Sequence, residues 1–307
     1  MIFAHLDTKN RLNYNMTLSS IKSVKRSANN ARPAPSPVYV DVSLCGDRSG
    51  SMASTRGGSQ EGAVAYMQQQ KETAEKLNPS SGSHLEFVSF DNVSFILYSG
   101  EATNVTDIDL RNVREGMEPR SMTRLFDTVI ETLKRQIARI DDKISSLPKS
   151  VRDTIKENPW MIGTSCAIMT DGIDNLSTHG FKECKDLIKL YKSRYNGSAM
   201  FIGANIDAEF TANRMGINKD FALQMGPDRN SSINAVKAVA SAQTRSISSI
   251  PNEVGGSLGG GTGFSQLERE VSCMQNVVVA EAGPSNTGCS LGGGYFGSYQ
   301  DDGSGRS

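Results

Sequence analysis

Oxygen-bearing side chains are concentrated in one short segment of the chain, Asp47-Arg48-Ser49-Gly50-Ser51. The segment contains one carboxylate and two hydroxyl groups, and no Cys or His. Oxygen ligands without nitrogen or sulfur suit a hard cation such as Mg²⁺ or Mn²⁺. Because Asp, Ser and Gly are also common turn formers, a simple polar connection is the alternative interpretation of this segment on its own.

The surrounding sequence predicts how this segment is positioned. It follows a mostly apolar strand candidate over 38–45 and precedes a helical stretch, so it lies at the C-terminal end of a strand. Open α/β sheets bind their ligands at such ends. Two later polar residues have related positions. Thr123 stands just before a strongly periodic helix, and Asp171 follows an apolar strand candidate over 164–170.

Strand and helix patterns alternate along residues 38–250, which predicts an open, mostly parallel sheet with helices on both faces. A tight connection between two strands predicts a hairpin, and so one antiparallel edge strand. We interpret 100–122 as a polar loop. The predicted strands are 38–45, 84–90, 93–98, 164–170, 198–203 and 221–225. The predicted helices cover Ala63 to Leu77, Phe126 to Ile144, 151–157, Phe181 to Tyr191, 207–215 and 233 to about 248.

The three polar loops together resemble the von Willebrand factor A (vWA) family. The family's metal-ion-dependent adhesion site consists of Asp-x-Ser-x-Ser on one loop, a Thr on a second and an Asp on a third. The matching residues occur here in the same order: Asp47, Ser49, Ser51, Thr123 and Asp171. Residues 201–207 and 214–217 also resemble vWA domains of intracellular and microbial proteins. The resemblance covers roughly residues 38–250 and implies a doubly wound, Rossmann-like fold.

The resemblance also implies a role for each ligand. Ser49 and Ser51 would bind Mg²⁺ or Mn²⁺ directly, while Asp47 and Asp171 would act largely through water. Thr123 would bind directly in the ligand-occupied form and through water otherwise. A protein partner would then supply an Asp or Glu carboxylate to the open coordination position.

Three nearby residues carry separate expectations. Many relatives have Gly two residues before the Thr, where this chain has Ser121, so we expect this loop to be stiffer or differently shaped. Arg48 occupies the variable second position of the first loop, and we expect its side chain to face solvent, with pairing to an acidic partner as the alternative. Asp174 is expected to cap a helix or turn.

Two other functions remain possible for the same residues. A metal-bound water could hydrolyse an ester or phosphoester. Phosphatases of the haloacid dehalogenase class need a second Asp where this chain has Ser49, and the segment does not match the Gly-x-Ser-x-Gly of a serine hydrolase. A metal-free scaffold is the third possibility, but all five expected ligands are present. We therefore expect a cation-dependent protein-interaction module that is not an enzyme.

Composition and charge indicate which partners and which cellular environment to expect. The formal net charge is zero and the central region has no basic patch, so we expect no nucleic-acid partner. No apolar run approaches the roughly 18 residues of a membrane span. The five cysteines show no metal-binding spacing, which favours a reducing, intracellular environment over a disulfide framework, and we expect a cytoplasmic location.

The two ends of the chain differ from its centre. Residues 1–37 form a basic, Ser-rich arm that ends in a Pro-rich spacer, with an organelle transit peptide as an alternative. Residues 251–307 are rich in Gly and Ser, apart from one more apolar island over 267–280. We expect both ends to be disordered, with the island either inert or a docking segment. The oligomeric state is left open.

Overall fold

The computed structural model describes residues 36–248 and 263–273. The strands of this part are β1 (Tyr39–Asp47), β2 (Ser83–Phe90), β3 (Ser94–Gly100), β4 (Ile162–Thr170), β5 (Ser198–Ala204) and β6 (Ala222–Met225). These six strands form one sheet in the order β3-β2-β1-β4-β5-β6. Within this sheet only the pair β2–β3 is antiparallel; the other neighbouring strands run parallel, which confirms the predicted sheet.

Helices cover both faces of the sheet, because the central strands are apolar on both sides. The helices are α1 (Gly58–Leu77), α2 (Asp107–Gly116), α3 (Leu125–Ser146), α4 (Lys149–Glu157), α5 (Phe181–Tyr195), α6 (Ala208–Arg214), α7 (Arg229–Ser248) and α8 (Gln266–Cys273). In β1, Val42 and Leu44 lie in the core shared with α1 and α7, whereas Cys45 lies in the core shared with α3 and α5. Within the described residues, none of these helices combines the length and apolar character that crossing a membrane requires.

Helix α2 lies inside the segment that we interpreted as a polar loop, so that interpretation was wrong. Thr106 and Asp109 form a capping box, in which each side chain accepts a hydrogen bond from the backbone N–H of the other. Val113 and Met117 are buried in the core. The capping residues and the spacing of the apolar side chains are the signals that identify this helix.

Helix α8 lies inside the stretch that we expected to be disordered tail, and for residues 263–273 this expectation was wrong. Phe264 is buried, Arg245 of α7 forms an ion pair with Glu268 at 2.7 Å, and Ser272 Oγ donates to Gln224 O of β6 at 2.8 Å. The helix therefore packs on α7 and covers the edge of β6. The rest of the predicted disordered arm and tail, 1–35, 251–262 and 274–307, lies outside the described residues, as do residues 249 and 250 at the end of the predicted domain.

A buried charge network fixes α3 on the sheet. Asp41 of β1 and Glu86 of β2 are both buried, and Arg139 of α3 forms ion pairs with both carboxylates. Arg135, one helical turn earlier, also pairs with Glu86 at 2.7 Å. Because a buried carboxylate is costly unless it is paired, this network sets the register of α3 against β1 and β2. The N-terminus of α3 is thereby held close to the end of β1.

Candidate metal site

The predicted ligands lie at the point where the strand order reverses. From β1 the sheet continues to β2 and β3 on one side, and to β4, β5 and β6 on the other. Doubly wound sheets bind ligands in the crevice beyond the C-terminal strand ends at this switch point. Asp47 is the last residue of β1, and Asp171 directly follows β4. The parallel pairing of Gly46 with Met169 places the two strand ends side by side.

Asp47 shapes the loop that follows β1. Its Oδ1 accepts a hydrogen bond from Ser49 N at 2.7 Å, and its Oδ2 accepts one from Thr170 Oγ1 at 2.6 Å. The side chain is fully buried, and burial raises the pKa of Asp47 to about 6 although both hydrogen bonds act in the opposite direction. Asp47 therefore folds the loop and ties it to the end of β4.

Two hydroxyls and one carboxylate form a chain of contacts beside this loop. Ser49 Oγ lies 3.0 Å from Ser51 Oγ, and Ser51 Oγ donates to Asp171 Oδ1 at 2.6 Å. The other carboxylate oxygen, Asp171 Oδ2, is buried and has no hydrogen-bond partner among the described residues. Burial raises the pKa of Asp171, opposed by the hydrogen bond from Ser51. Because a buried acceptor without a partner costs free energy, a cation or a hydrogen-bond donor at this position would stabilise Asp171 Oδ2.

Thr123, on the loop before α3, lies beside the hydroxyl of Ser51. Thr123 N donates to Asn175 Oδ1 at 3.0 Å, and Asn175 N donates to Thr123 O at 3.1 Å, so the loops before α3 and after β4 are tied together. A Cβ added to Gly172 would lie 3.3 Å from Thr123 Oγ1 and 3.7 Å from Ser51 Oγ. Both hydroxyls thus lie next to Gly172, and a side chain there would crowd them.

Ser121, the residue that departs from the family pattern, adopts a left-handed backbone conformation with φ of 65°. Gly50 N donates to Ser121 O at 3.0 Å, which joins this turn to the first loop. Glycine adopts positive φ without steric cost, whereas a residue with a Cβ does not. The turn therefore keeps a glycine-type conformation in spite of its serine.

The expectation that Arg48 faces solvent was wrong. Its side chain is buried, with Nε 3.0 Å from Asp91 Oδ2 and NH1 donating to Gly116 O at 3.0 Å. The guanidinium also stacks on Phe95, 4.2 Å from the ring centroid. Because the contacts come from the β2–β3 turn, from β3 and from the end of α2, Arg48 anchors the first loop to three other segments.

The expected capping role of Asp174 is confirmed. Its Oδ1 accepts hydrogen bonds from Leu125 N at 2.7 Å and Phe126 N at 3.3 Å, the first amides of α3. Asp127, in the first turn of α3, in turn accepts from the backbone of the loop after β4, and its Oδ1 lies 2.6 Å from His179 Nδ1. His179 is half-exposed at the side of the site. These bonds link residues about fifty positions apart, and no local pattern indicates them.

The donors fit a hard divalent cation. They are three hydroxyls, of Ser49, Ser51 and Thr123, and two carboxylates, of Asp47 and Asp171. The part of the chain that the structure describes holds no group of three or more His, Cys, Asp or Glu able to bind a metal, so a cation here depends on hydroxyl oxygens and water. Mg²⁺ suits such a site, because it keeps several waters and needs only one or two carboxylates. Asp171 Oδ2, which has no hydrogen-bond partner within 36–248 and 263–273, is a buried oxygen that such a cation would stabilise.

Neither a family model nor a curated protein sequence matches the chain. Solved structures do resemble it. A von Willebrand factor type A protein from Catenulispora acidiphila shows 13% identity and a TM-score of 0.42, over 68% of this chain and 43% of that one. Proximal thread matrix protein 1 from the mussel byssus, with a zinc-occupied MIDAS motif, shows 14% identity and a TM-score of 0.40, over 67% of this chain and 48% of that one. Manganese-loaded TRAP protein of Plasmodium vivax shows 16% identity and a TM-score of 0.40, over 67% of this chain and 74% of that one. The chain spans less than half the length of the first two.

Proposed function

We propose that this chain is a vWA-type module that binds a protein partner through a divalent cation, Mg²⁺ or Mn²⁺. The observation that carries the proposal is the oxygen cluster at the switch point, in which Ser51 contacts both Ser49 and Asp171 while Asp171 Oδ2 has no hydrogen-bond partner in the part of the chain that the structure describes. The bound cation would supply an electrophilic position for an Asp or Glu carboxylate of the partner.

The residues of the site have different tasks in this proposal. Ser49 and Ser51 would hold the ion directly through their hydroxyl oxygens, and Thr123 would contact it when the partner binds. Asp47 keeps the first loop folded through its bonds to Ser49 N and Thr170, and acts on the ion through water. Asp171 supplies charge close to the ion. Since most of these donors are neutral, the ion keeps enough positive charge to attract an external carboxylate.

We propose binding in preference to catalysis. Asp47 is fully buried and both of its oxygens accept hydrogen bonds, which disfavours it as a base for an attacking water. We also propose an intracellular setting. It is supported by Cys45, Cys166 and Cys184, which are buried free thiols on neighbouring elements of one core.

Calorimetric titration of Mg²⁺, and then Mn²⁺, into the full-length chain tests the site. Saturable binding is expected in the wild type, and it should be lost in Asp171→Ala. Asp153→Ala is the matched control, because this aspartate is exposed on α4 and should leave binding unchanged. Asp171 is a better choice than Asp47, whose removal would unfold the loop.

The alternatives give different results in the same series. If the wild type binds neither ion, the domain is a metal-free scaffold and the proposal is wrong. If Mg²⁺ binds and a simple phosphate ester such as p-nitrophenyl phosphate is turned over in a way that Asp171→Ala abolishes, the domain is a metal-dependent hydrolase. Mg²⁺ binding without turnover supports the interaction module.

A further inference from the structure

Large apolar side chains are exposed on the loops that carry the candidate ligands. Met122, which precedes Thr123, is 48% exposed, and Ile173, which follows Gly172, is 78% exposed. Leu176, on the same loop as Ile173, is 41% exposed. Single exposed apolar residues need no explanation, but three on the loops of one site do.

These three residues, Met122, Ile173 and Leu176, belong to one surface, which we call the apolar rim. The reciprocal hydrogen bonds between Thr123 and Asn175 hold their two loops together. The bonds from Leu125 N and Phe126 N to Asp174 fix the second loop to the start of α3 as well. The rim is therefore held in place beside the hydroxyls of the site.

The charge beside the rim favours an acidic partner. Arg48 and Arg120 share a single buried carboxylate, that of Asp91, at 3.0 and 3.1 Å. The side chain of Arg120 is 59% exposed, so its guanidinium places a positive charge at the surface. A bound cation would increase the positive field further.

We infer that the partner presents an acidic residue flanked by large aliphatic side chains. The inference rests on the proposed function: the carboxylate meets the cation, and a neighbouring Leu, Ile, Val or Met covers the apolar rim. An acidic residue with polar neighbours would reach the same cation but leave the rim in water. Burial of one aliphatic side chain against the rim is therefore expected to raise affinity by about tenfold or more.

A peptide selection on the immobilised full-length chain tests the inference. The library consists of short peptides with a central Glu and randomised flanking positions, retained in Mg²⁺ and released by EDTA. Aliphatic residues should be enriched next to the Glu. Retained peptides should bind Ile173→Ser about tenfold more weakly, while calorimetry shows its Mg²⁺ binding unchanged. Ile108→Ser is the control, because Ile108 is 65% exposed on α2 and should have no effect.

The outcomes separate this inference from the function on which it rests. Retained peptides without an aliphatic preference, or equal binding to Ile173→Ser and the wild type, would overturn the inference. Mg²⁺ binding in calorimetry with no Mg²⁺-dependent retention of any peptide would also overturn it, and would leave the cation site in place. If the wild type neither binds Mg²⁺ in calorimetry nor retains any peptide in Mg²⁺, the proposed function itself is wrong.

Discussion

At the scale of single residues, the candidate site combines a strained backbone with buried carboxylates. Ser121 has a φ of 65°, and its carbonyl accepts the amide of Gly50, so the strain lies in the turn that joins two loops of the site. Asp47 and Asp171 are buried with raised pKa values. Both features cost folding free energy, and such costs are often concentrated at functional sites.

Replacement of Ser121 by glycine should relieve the strain in this turn. We expect Ser121→Gly to raise the free energy of unfolding by up to about 1 kcal/mol, because the left-handed conformation costs a residue with a Cβ about 1–2 kcal/mol and the added chain entropy offsets part of the gain. Denaturant unfolding measures the change. Ser150→Gly, in the exposed part of α4, is the control and should lower stability. A loss of stability in Ser121→Gly would contradict the argument.

The raised pKa of Asp47 makes the effect of Mg²⁺ depend on pH. Because the folded-state value of about 6 lies above the ordinary 3.8, the metal-free fold binds this proton more tightly than the unfolded chain does. The stability linked to Asp47 is therefore highest at low pH and falls as pH rises through 6. A cation competes with the proton, so Mg²⁺ should raise Tm more at pH 7.5 than at pH 5.

Thermal unfolding with and without Mg²⁺, at several pH values between 5 and 8, measures this dependence. In Asp47→Asn the side chain at position 47 no longer titrates. The fall in stability that Asp47 causes between low pH and pH 6 in the absence of Mg²⁺ should therefore disappear. An equal Mg²⁺ effect at pH 5 and pH 7.5 in the wild type would contradict the coupling.

At the scale of elements, α3 connects the charge network to the candidate site. Arg139 pairs with Asp41 and Glu86 in the middle of the helix, and Thr123 lies two residues before Leu125, the first residue of α3. The helix cannot slide along the sheet without breaking these ion pairs. The position of Thr123 next to Gly172 therefore depends partly on charges that lie some distance from the site.

Removal of Arg139 should destabilise the fold strongly. We expect Arg139→Met to cost about 3 kcal/mol, because it leaves the carboxylates of Asp41 and Glu86 buried with one partner fewer. Chemical denaturation measures the loss. Lys156→Met is the control, because Lys156 is 79% exposed and its replacement should change stability by less than about 0.5 kcal/mol. Equal effects of the two substitutions would show that the network does not stabilise the fold.

At the scale of the whole molecule, the two edges of the sheet differ. On the β6 side, α8 covers the edge, where Arg269 NH1 donates to Ala222 O at 2.9 Å and Gly226 N donates to Ser272 O at 2.8 Å. On the other side, β3 contains no charged residue and no proline, and Ile96 is 51% exposed. Covering an edge satisfies its backbone groups and limits unwanted pairing. The candidate site lies between these edges, at the ends of β1 and β4.

A chain ending at residue 250 should therefore lose stability but keep its cation site. We expect the loss of α8 to lower the free energy of unfolding by about 3 kcal/mol, since buried Phe264 and the bonds of Arg269 and Ser272 go with it. Mg²⁺ affinity should stay within about twofold, because distant, unconnected sites act independently. Calorimetry compares the Mg²⁺ affinity of the full-length and the shortened chain, and thermal unfolding compares their stability. A large loss of Mg²⁺ affinity in the shorter chain would show that α8 supports the site.

The sequence by itself determined the alternation of strands and helices, the antiparallel edge strand and the loops on which oxygen ligands could lie. Apolar periodicity and turn residues act over a few positions, so a linear pattern is sufficient to predict them. Helix α2 could also have been predicted from its capping residues Thr106 and Asp109.

Only the tertiary structure decided which polar groups are buried and which contacts they make. Arg48 is buried because Asp91, Gly116 and Phe95 come from other elements to meet it. Asp171 Oδ2 accepts no hydrogen bond from the described residues, while the nearby Ser51 hydroxyl donates to Oδ1. Helix α8 packs on the surface that β6 and α7 offer it. Burial and hydrogen-bond geometry depend on residues far apart in the chain, which no local pattern of residue types specifies.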